Sequence, residues 1–284
     1  MRVQTRCAAG FLLAIGAVLA LPTPASNGAT ATTIRVAGHR GYSSAAPENT
    51  VEAAKLAIKV GADGLEFDVR YSSTNYPVVV HDSTLGRTTE CSGYVHKKSV
   101  TSLRSCNAGS WFQPNYDTSN GHPYPDAHVP GFHEYMKAIA AEGYKGTLFI
   151  ELKTRSTGAR AGRLWARIPT SLRDQVVFIS FSRARLQDMY AVAGRNVKYA
   201  WIFQTQEGWT WTGIGSDYRW PYGLPITPVA SETRPIVGTV GSLSCDCLSW
   251  VVANNIPAAR AAVDNYTVSG ETGLTAAQER RLSP

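Results

Sequence analysis

Along most of the chain, short runs of β-branched and aromatic residues alternate with stretches whose apolar positions recur every three or four residues. The first strand-like run is "TIRVAGH", residues 33–39, and "NTVEAAKLAIKVG" after it has a helical period. There Asn49 is the expected N-cap, Glu52 stands at the third helical position, Val51, Ala54 and Ile58 share a face, and Gly61 is the stop. The strand "GLEFDVR" comes next, and "VVVHD" follows after only "YSSTNYP", a connection too short for a crossover helix. Residues 83–130 read as a long irregular loop. "FHEYMKAIAAEG" then carries the stripe Phe132, Tyr135, Met136 and Ile139, which suits a helix packed on a core.

Further units follow the same scheme. They are strand "TLFIELK", a helix around Ala161, Leu164, Trp165 and Ile168, strand "VVFISF", helix "RARLQDMYAVAG" and strand "VKYAWIF". Residues 204–244 break the pattern with a second irregular segment rich in Trp and Tyr. "CLSWVVA", helix "IPAARAAVDN", strand "YTVSG" and helix "LTAAQERRL" close the chain. Alternating strands and helices with about eight strands in roughly 250 residues predict a (β/α)8 barrel; a doubly wound sheet is the alternative that the pattern alone allows.

Composition narrows the setting. Arg2 and Arg6 precede an uncharged apolar run from Ala8 to Leu21, followed by Pro and small residues ending in "ATA". This is the form of a secretory signal, so residues 1–31 are expected to be removed and 32–284 to form one domain outside the cell. The run is shorter than a bilayer span needs, and no stable membrane anchor is expected. With Arg2 and Arg6 set aside, 26 Lys and Arg stand against 21 Asp and Glu without any basic cluster, which gives no nucleic-acid footprint. Four cysteines remain in an oxidising compartment. Cys91 with Cys106 is the expected surface bridge, Cys245 with Cys247 a second candidate, and a zinc site fits the spacing poorly.

The chemistry concentrates at strand ends. In "GLEFDVR" Leu65, Phe67 and Val69 share one parity, and Glu66 and Asp68 share the other. If the apolar set packs on helices, both acids point into the barrel, about 6.5–7 Å apart along the strand. "FIELK" repeats the arrangement with Glu151 and Lys153. Three acids in an enclosed site need a compensating cation, for which a hard divalent ion suits oxygen ligands. Pairing with Lys153 and Arg40, without metal, is the competing account. His39 and His81 each end a strand-like run, and two histidines on one rim can supply the acid and the base of a displacement. Asp82 reads as a cap for the next turn or as a partner orienting an imidazole, with the cap favoured. Gly41 reads as a tight-turn residue.

"HRG", "PENT", "GADGLEFDV", "VVVHDSTLGRTT", "AGSWF", "VPGFHEYM", "IELK" and "ISF", in that order, resemble the successive signatures of the glycerophosphodiester phosphodiesterase family. The resemblance implies a phospholipase C-like (β/α)8 barrel that cleaves glycerophosphodiesters with Ca²⁺ or Mg²⁺. It implies Glu66, Asp68 and Glu151 as metal ligands and His39 and His81 as the acid/base pair. Arg40, Lys153 and Glu48 are implied at the substrate phosphate, and Asn49 is either a site residue or only a cap. After Phe181 the resemblance thins, and a barrel lacking its last strand is expected. Two other readings compete: a phospholipase acting on intact phospholipid head groups, and a catalytically silent binding protein on the same fold. The rings from Trp209 to Tyr222 either pack a loop or stack on a cationic head group.

Overall fold

The computed structural model describes residues 35–112, 123–205, 208–214, 239–241, 250–257 and 259–260. The expected signal segment, the Cys245–Cys247 pair, Tyr218, Trp220, Tyr222 and the final strand and helix lie outside them. The described strands are β1 (Arg35–Gly38), β2 (Gly64–Tyr71), β3 (Pro77–Val79), β4 (Thr147–Leu152), β5 (Val176–Ser180), β6 (Lys198–Thr205), β7 (Gly208–Ile214), β8 (Thr239–Gly241) and β9 (Trp250–Ala253). The helices are α1 (Val51–Lys59), α2 (Val100–Arg104), α3 (Phe132–Ala141), α4 (Ala159–Ala166) and α5 (Arg183–Ala193).

The strands form one curled sheet in the order β8-β7-β6-β5-β4-β2-β1-β9, with β3 paired to β2 off that path. From β9 through β6 the neighbours run parallel. This is the barrel-type arrangement that the alternation predicts. β8 and β9, at the two ends of the path, approach one another without a ladder between them. The short "YSSTNYP" connection makes a hairpin: β3 returns antiparallel along β2 with Val69 opposite Val79.

Parity along β2 decides what the core receives. Leu65, Phe67 and Val69 are fully buried among apolar neighbours, and the Phe67 ring lies 4.7 Å from Tyr135 and 6.3 Å from Phe132 on α3. The predicted stripe Phe132, Tyr135, Met136 and Ile139 is buried as a unit. Each such side chain contributes roughly 1.5–3 kcal/mol by leaving water, so the strand is held with its other parity facing inward.

Three local expectations are corrected. Thr50, not Asn49, caps α1: its hydroxyl accepts from Ala53 N–H and its φ/ψ are extended, whereas Asn49 is left-handed at φ 61°. The buried face of α1 is Ala53, Ala54 and Ala57, small residues that let the helix sit close to the sheet, while Val51 and Ile58 flank it half-buried. The irregular segment at 204–244 contains β7, which pairs antiparallel with β6 so that Trp209 and Trp211 stand in a strand, and β8.

The segment at 83–130 is more ordered than a loop. It carries a 3-10 turn at Val95–Lys97, α2, and a small core of Val78, Val80, Leu85, Val95, Leu103, Cys106 and Val129. Phe112 packs edge-on between Trp111 and Tyr124. Cys91 and Cys106 form the expected disulfide, closing 15 residues. No helix among the described residues is long and apolar enough to cross a membrane.

A loop of that size constrains the unfolded chain by about 3 kcal/mol. Replacing both Cys91 and Cys106 by Ser should lower unfolding free energy in urea by about that amount. An unchanged midpoint would show that the small core alone holds the segment.

Candidate active site

β2 and β4 pair with Asp68 opposite Glu151, so the two carboxylates emerge side by side from adjacent strands. Glu66, two residues earlier on β2, completes a set whose carboxylate oxygens lie within 4.8 Å of one another, all three residues being buried. Lys153 follows β4 and donates to Glu151 at 2.8 Å, with Asp68 Oδ1 at 3.3 Å. The predicted convergence of three acids and a lysine is therefore present.

The turn after β1 reaches the same point. Arg40 N–H donates to Glu66 at 2.9 Å, and the Arg40 side chain lies 3.4 Å from Asp68 and 2.9 Å from Glu48. The path is tight: Arg40 has φ 57°, Gly41 φ 83°, and a Cβ on Gly41 would stand 2.6 Å from the Ala53 carbonyl carbon. Only glycine allows that approach to α1. Asn49, freed from capping, clasps Asp68 twice: its side-chain N–H donates to the carboxylate at 2.8 Å and its oxygen accepts from Asp68 N–H at 3.1 Å.

His39 and His81 flank the acids. His39 Nε2 lies 3.9 Å from Glu66, and its Nδ1 is 2.7 Å from Asn254 Oδ1, an oxygen that also accepts from Ser43. His81 arrives through the hairpin: Val80 N–H donates to Asp68 C=O, and Arg70 Nε donates to His81 C=O. Asp82 is not a turn cap. One of its oxygens lies 2.6 Å from His81 Nδ1 and the other accepts from Arg87 Nε at 2.5 Å. Arg87 spans onward to Glu48, donating at 2.8 and 2.7 Å.

Burial, then Asp68 and Glu151, pushes the Glu66 carboxyl well above the usual carboxylate range. The same causes, burial and then Asp68, raise Glu151 to about 7. At Asp68 burial also opposes ionisation, but Lys153 and Arg40 outweigh it and hold the group well below its ordinary value. Burial and then Arg40 lower His39 to about 4, and burial lowers His81. Asp82 is brought down to about 2 in spite of burial by its bonds to Arg87 and His81.

These charges test the metal-free account. Lys153 and Arg40 balance two of the three acids, and Glu66 makes no ion pair with a Lys or Arg side chain among the described residues. Asp68 Oδ1 is buried without a hydrogen bond. An all-oxygen donor set with one charge uncompensated, and one buried oxygen met only by the Lys153 ion pair at 3.3 Å, fits a hard divalent cation.

Two partners escaped sequence reasoning. Asn254 follows β9 at the same rim as His39, and the strand-end rule would have pointed to it. Arg87 lies inside "HDSTLGRTT", yet no periodicity links it to Glu48. His128 and His133 pair instead with Glu134 and the Arg167 carbonyl.

Comparison with known proteins bears on this geometry. The Glycerophosphoryl diester phosphodiesterase family matches residues 39–208. YhdW of Bacillus subtilis, a candidate glycerophosphodiester phosphodiesterase, is 32% identical over 79% of this chain and 88% of its own length. A phosphodiesterase from Oleispira antarctica, solved in complex with the product sn-glycerol-3-phosphate, superposes with TM-score 0.50 at 27% identity, over 60% of this chain and 66% of that one. A structure from Silicibacter pomeroyi shares the fold at TM-score 0.59 and 20% identity, over 83% of this chain and 95% of that one. The matched region contains every residue of the acidic cluster and both histidines, and the chain belongs to the glycerophosphoryl diester phosphodiesterase family of enzymes.

Proposed function

We propose that the protein hydrolyses glycerophosphodiesters such as glycerophosphocholine to an alcohol and glycerol phosphate, with Ca²⁺ or Mg²⁺ held by Glu66, Asp68 and Glu151. The observation that carries this is the convergence of those carboxylates within 4.8 Å, between two imidazoles and beside Arg40 and Lys153. When bound, such an ion supplies Lewis-acid stabilisation of negative charge on the phosphate oxygens.

The chain's own groups do the rest. Arg40 and Lys153 stand ready to bind the remaining phosphate oxygens as charge builds on them. Glu48 takes part through Arg40, whose guanidinium it holds. Asn254 and Asp82 each engage Nδ1 of one histidine, which leaves Nε2 of both rings for the substrate. His81 is assigned the base, because the Asp82 carboxylate stabilises the imidazolium that forms when the ring takes a proton from the attacking hydroxyl. His39 has only an amide at Nδ1, so its imidazolium is the stronger acid and is assigned to protonate the leaving alkoxide. Phe181, 42% exposed and with Lys153 Nζ 5.8 Å from its ring centre, offers an apolar wall at the rim for the organic part of the substrate. Export of the protein is part of the same proposal, supported by the N-terminal apolar run behind two arginines and by the disulfide.

Purified protein should release glycerol phosphate from glycerophosphocholine, lose that activity in chelator and regain it with Ca²⁺ or Mg²⁺. His39→Ala and His81→Ala should each lower kcat by about 10²- to 10⁴-fold while keeping the native circular dichroism. Indifference to chelation would overturn the metal, full activity in either variant would overturn the acid/base pair, and an inactive wild type would overturn the substrate.

Asn49→Ala removes both bonds to Asp68 and leaves alanine at positive φ. The concentration of Ca²⁺ or Mg²⁺ needed for half-maximal activity should rise about 10- to 100-fold, and an unchanged requirement would place Asn49 outside the metal's support.

A further inference from the structure

We propose that Arg87 is a positioning residue that locks His81, through Asp82, and Arg40, through Glu48, into a single brace across the rim, an inference that rests on the phosphodiesterase reading above. The chain of contacts is continuous. His81 Nδ1 meets Asp82 Oδ1 at 2.6 Å, Asp82 Oδ2 accepts from Arg87 Nε at 2.5 Å, and the two terminal nitrogens of Arg87 donate to both Glu48 oxygens. Glu48 Oε1 also accepts from Arg40 at 2.9 Å. Arg40 and Glu48 come from the connection after β1, and His81 and Asp82 from the end of the β2–β3 hairpin. Arg87 is the guanidinium that joins these two rim segments.

Three of the five N–H donors of Arg87 are spent on carboxylates, which commits its guanidinium to Asp82 and Glu48. The planar fork is suited to that task. It reaches one carboxylate edge-on through Nε and grips the other with two parallel bonds, which a lysine ammonium cannot reproduce. With Asp82 fixed, the His81 ring keeps its Nδ1 toward the carboxylate and its Nε2 toward the site. With Glu48 fixed between two guanidinium groups, Arg40 keeps its reach toward Asp68.

The backbone under Arg87 is held independently of the brace. Leu85 is fully buried in the small core, its N–H donates to Gly93 C=O, and Thr88 N–H donates back to Leu85 C=O. The Arg87 side chain itself is 44% exposed. Its removal therefore leaves both cores intact and deletes only the link.

The test compares wild type, Arg87→Ala, Arg87→Lys, Asp82→Ala and the Arg87→Ala/Asp82→Ala double variant on glycerophosphocholine. Arg87→Ala should lower kcat about 10- to 100-fold with KM little changed, Arg87→Lys should recover only part, and guanidinium ion in the buffer should partly restore Arg87→Ala but not Asp82→Ala. The double variant should lose less than the product of the single losses. A wild-type kcat in Arg87→Ala, or losses that multiply in full, would overturn the brace. A second readout needs no substrate: the downfield proton signal of His81 Nδ1–H, assigned by its loss in His81→Ala, should be absent in Asp82→Ala and broadened by exchange in Arg87→Ala. An unaltered signal in Arg87→Ala would overturn the brace by itself. An inactive wild type would count against the substrate alone, because the proton signal still decides the role of Arg87.

Discussion

Three carboxylates taken out of water on one side of two adjacent strands are the constraint around which this molecule is organised. A buried carboxylate without a partner is costly enough that it protonates instead of staying charged, and the raised affinity of Glu66 and Glu151 for protons shows that cost. The compensation in the protein is incomplete in a specific way. Lys153 and Arg40 both lie against Asp68, which Asn49 also clasps twice, so the Asp68 carboxyl is held well below its ordinary value while those of Glu66 and Glu151 are raised. Under the proposed function a divalent cation would take the place of those protons, and a purely structural ion-pair network would have placed a cation on Glu66 as well.

That cost is carried by the opposite parity of the same strand. Leu65, Phe67 and Val69 hold β2 against α3, and a one-residue slip would turn the acids into the helices and the apolar set into the site. The parallel register of β2 with β4 then sets Asp68 beside Glu151. Apolar packing and the donor set are therefore two consequences of one register, so changes that loosen the Phe67 contacts act on the site although they touch none of its polar groups.

Because the acid geometry follows from period-two alternation, it was legible in "GLEFDVR" and "FIELK" before any fold was known. The barrel-type sheet, the α3 stripe and the Cys91–Cys106 bridge were legible for similar reasons, since each depends on local periodicity or short spacing. What escaped depends on contacts between distant positions. Asn49 has the composition of a cap, and only the left-handed turn that brings it to Asp68 shows why Thr50 takes that role instead. Asp82 has the composition of a turn cap too, but His81 and Arg87 claim both of its oxygens. Trp209 and Trp211 sit among turn-forming residues, and the pairing of β7 with β6 overrides that local preference.

The reach of the site along the chain has a further consequence. His39 is the first polar group after β1, yet the oxygen that engages its Nδ1 belongs to Asn254, which is presented only because β9 pairs in parallel with β1. The same β9 terminus receives Ser43 and bonds the Ser44 N–H through the Asn254 carbonyl. The His39 orientation therefore requires that the chain has come round to set β9 beside β1, whereas the acids of β2 and β4 need only a local parallel pair. The proposed acid/base pair therefore depends on the apolar contacts that seat β9, with Ile256 and Ala259 against the main core, whereas the acidic cluster does not.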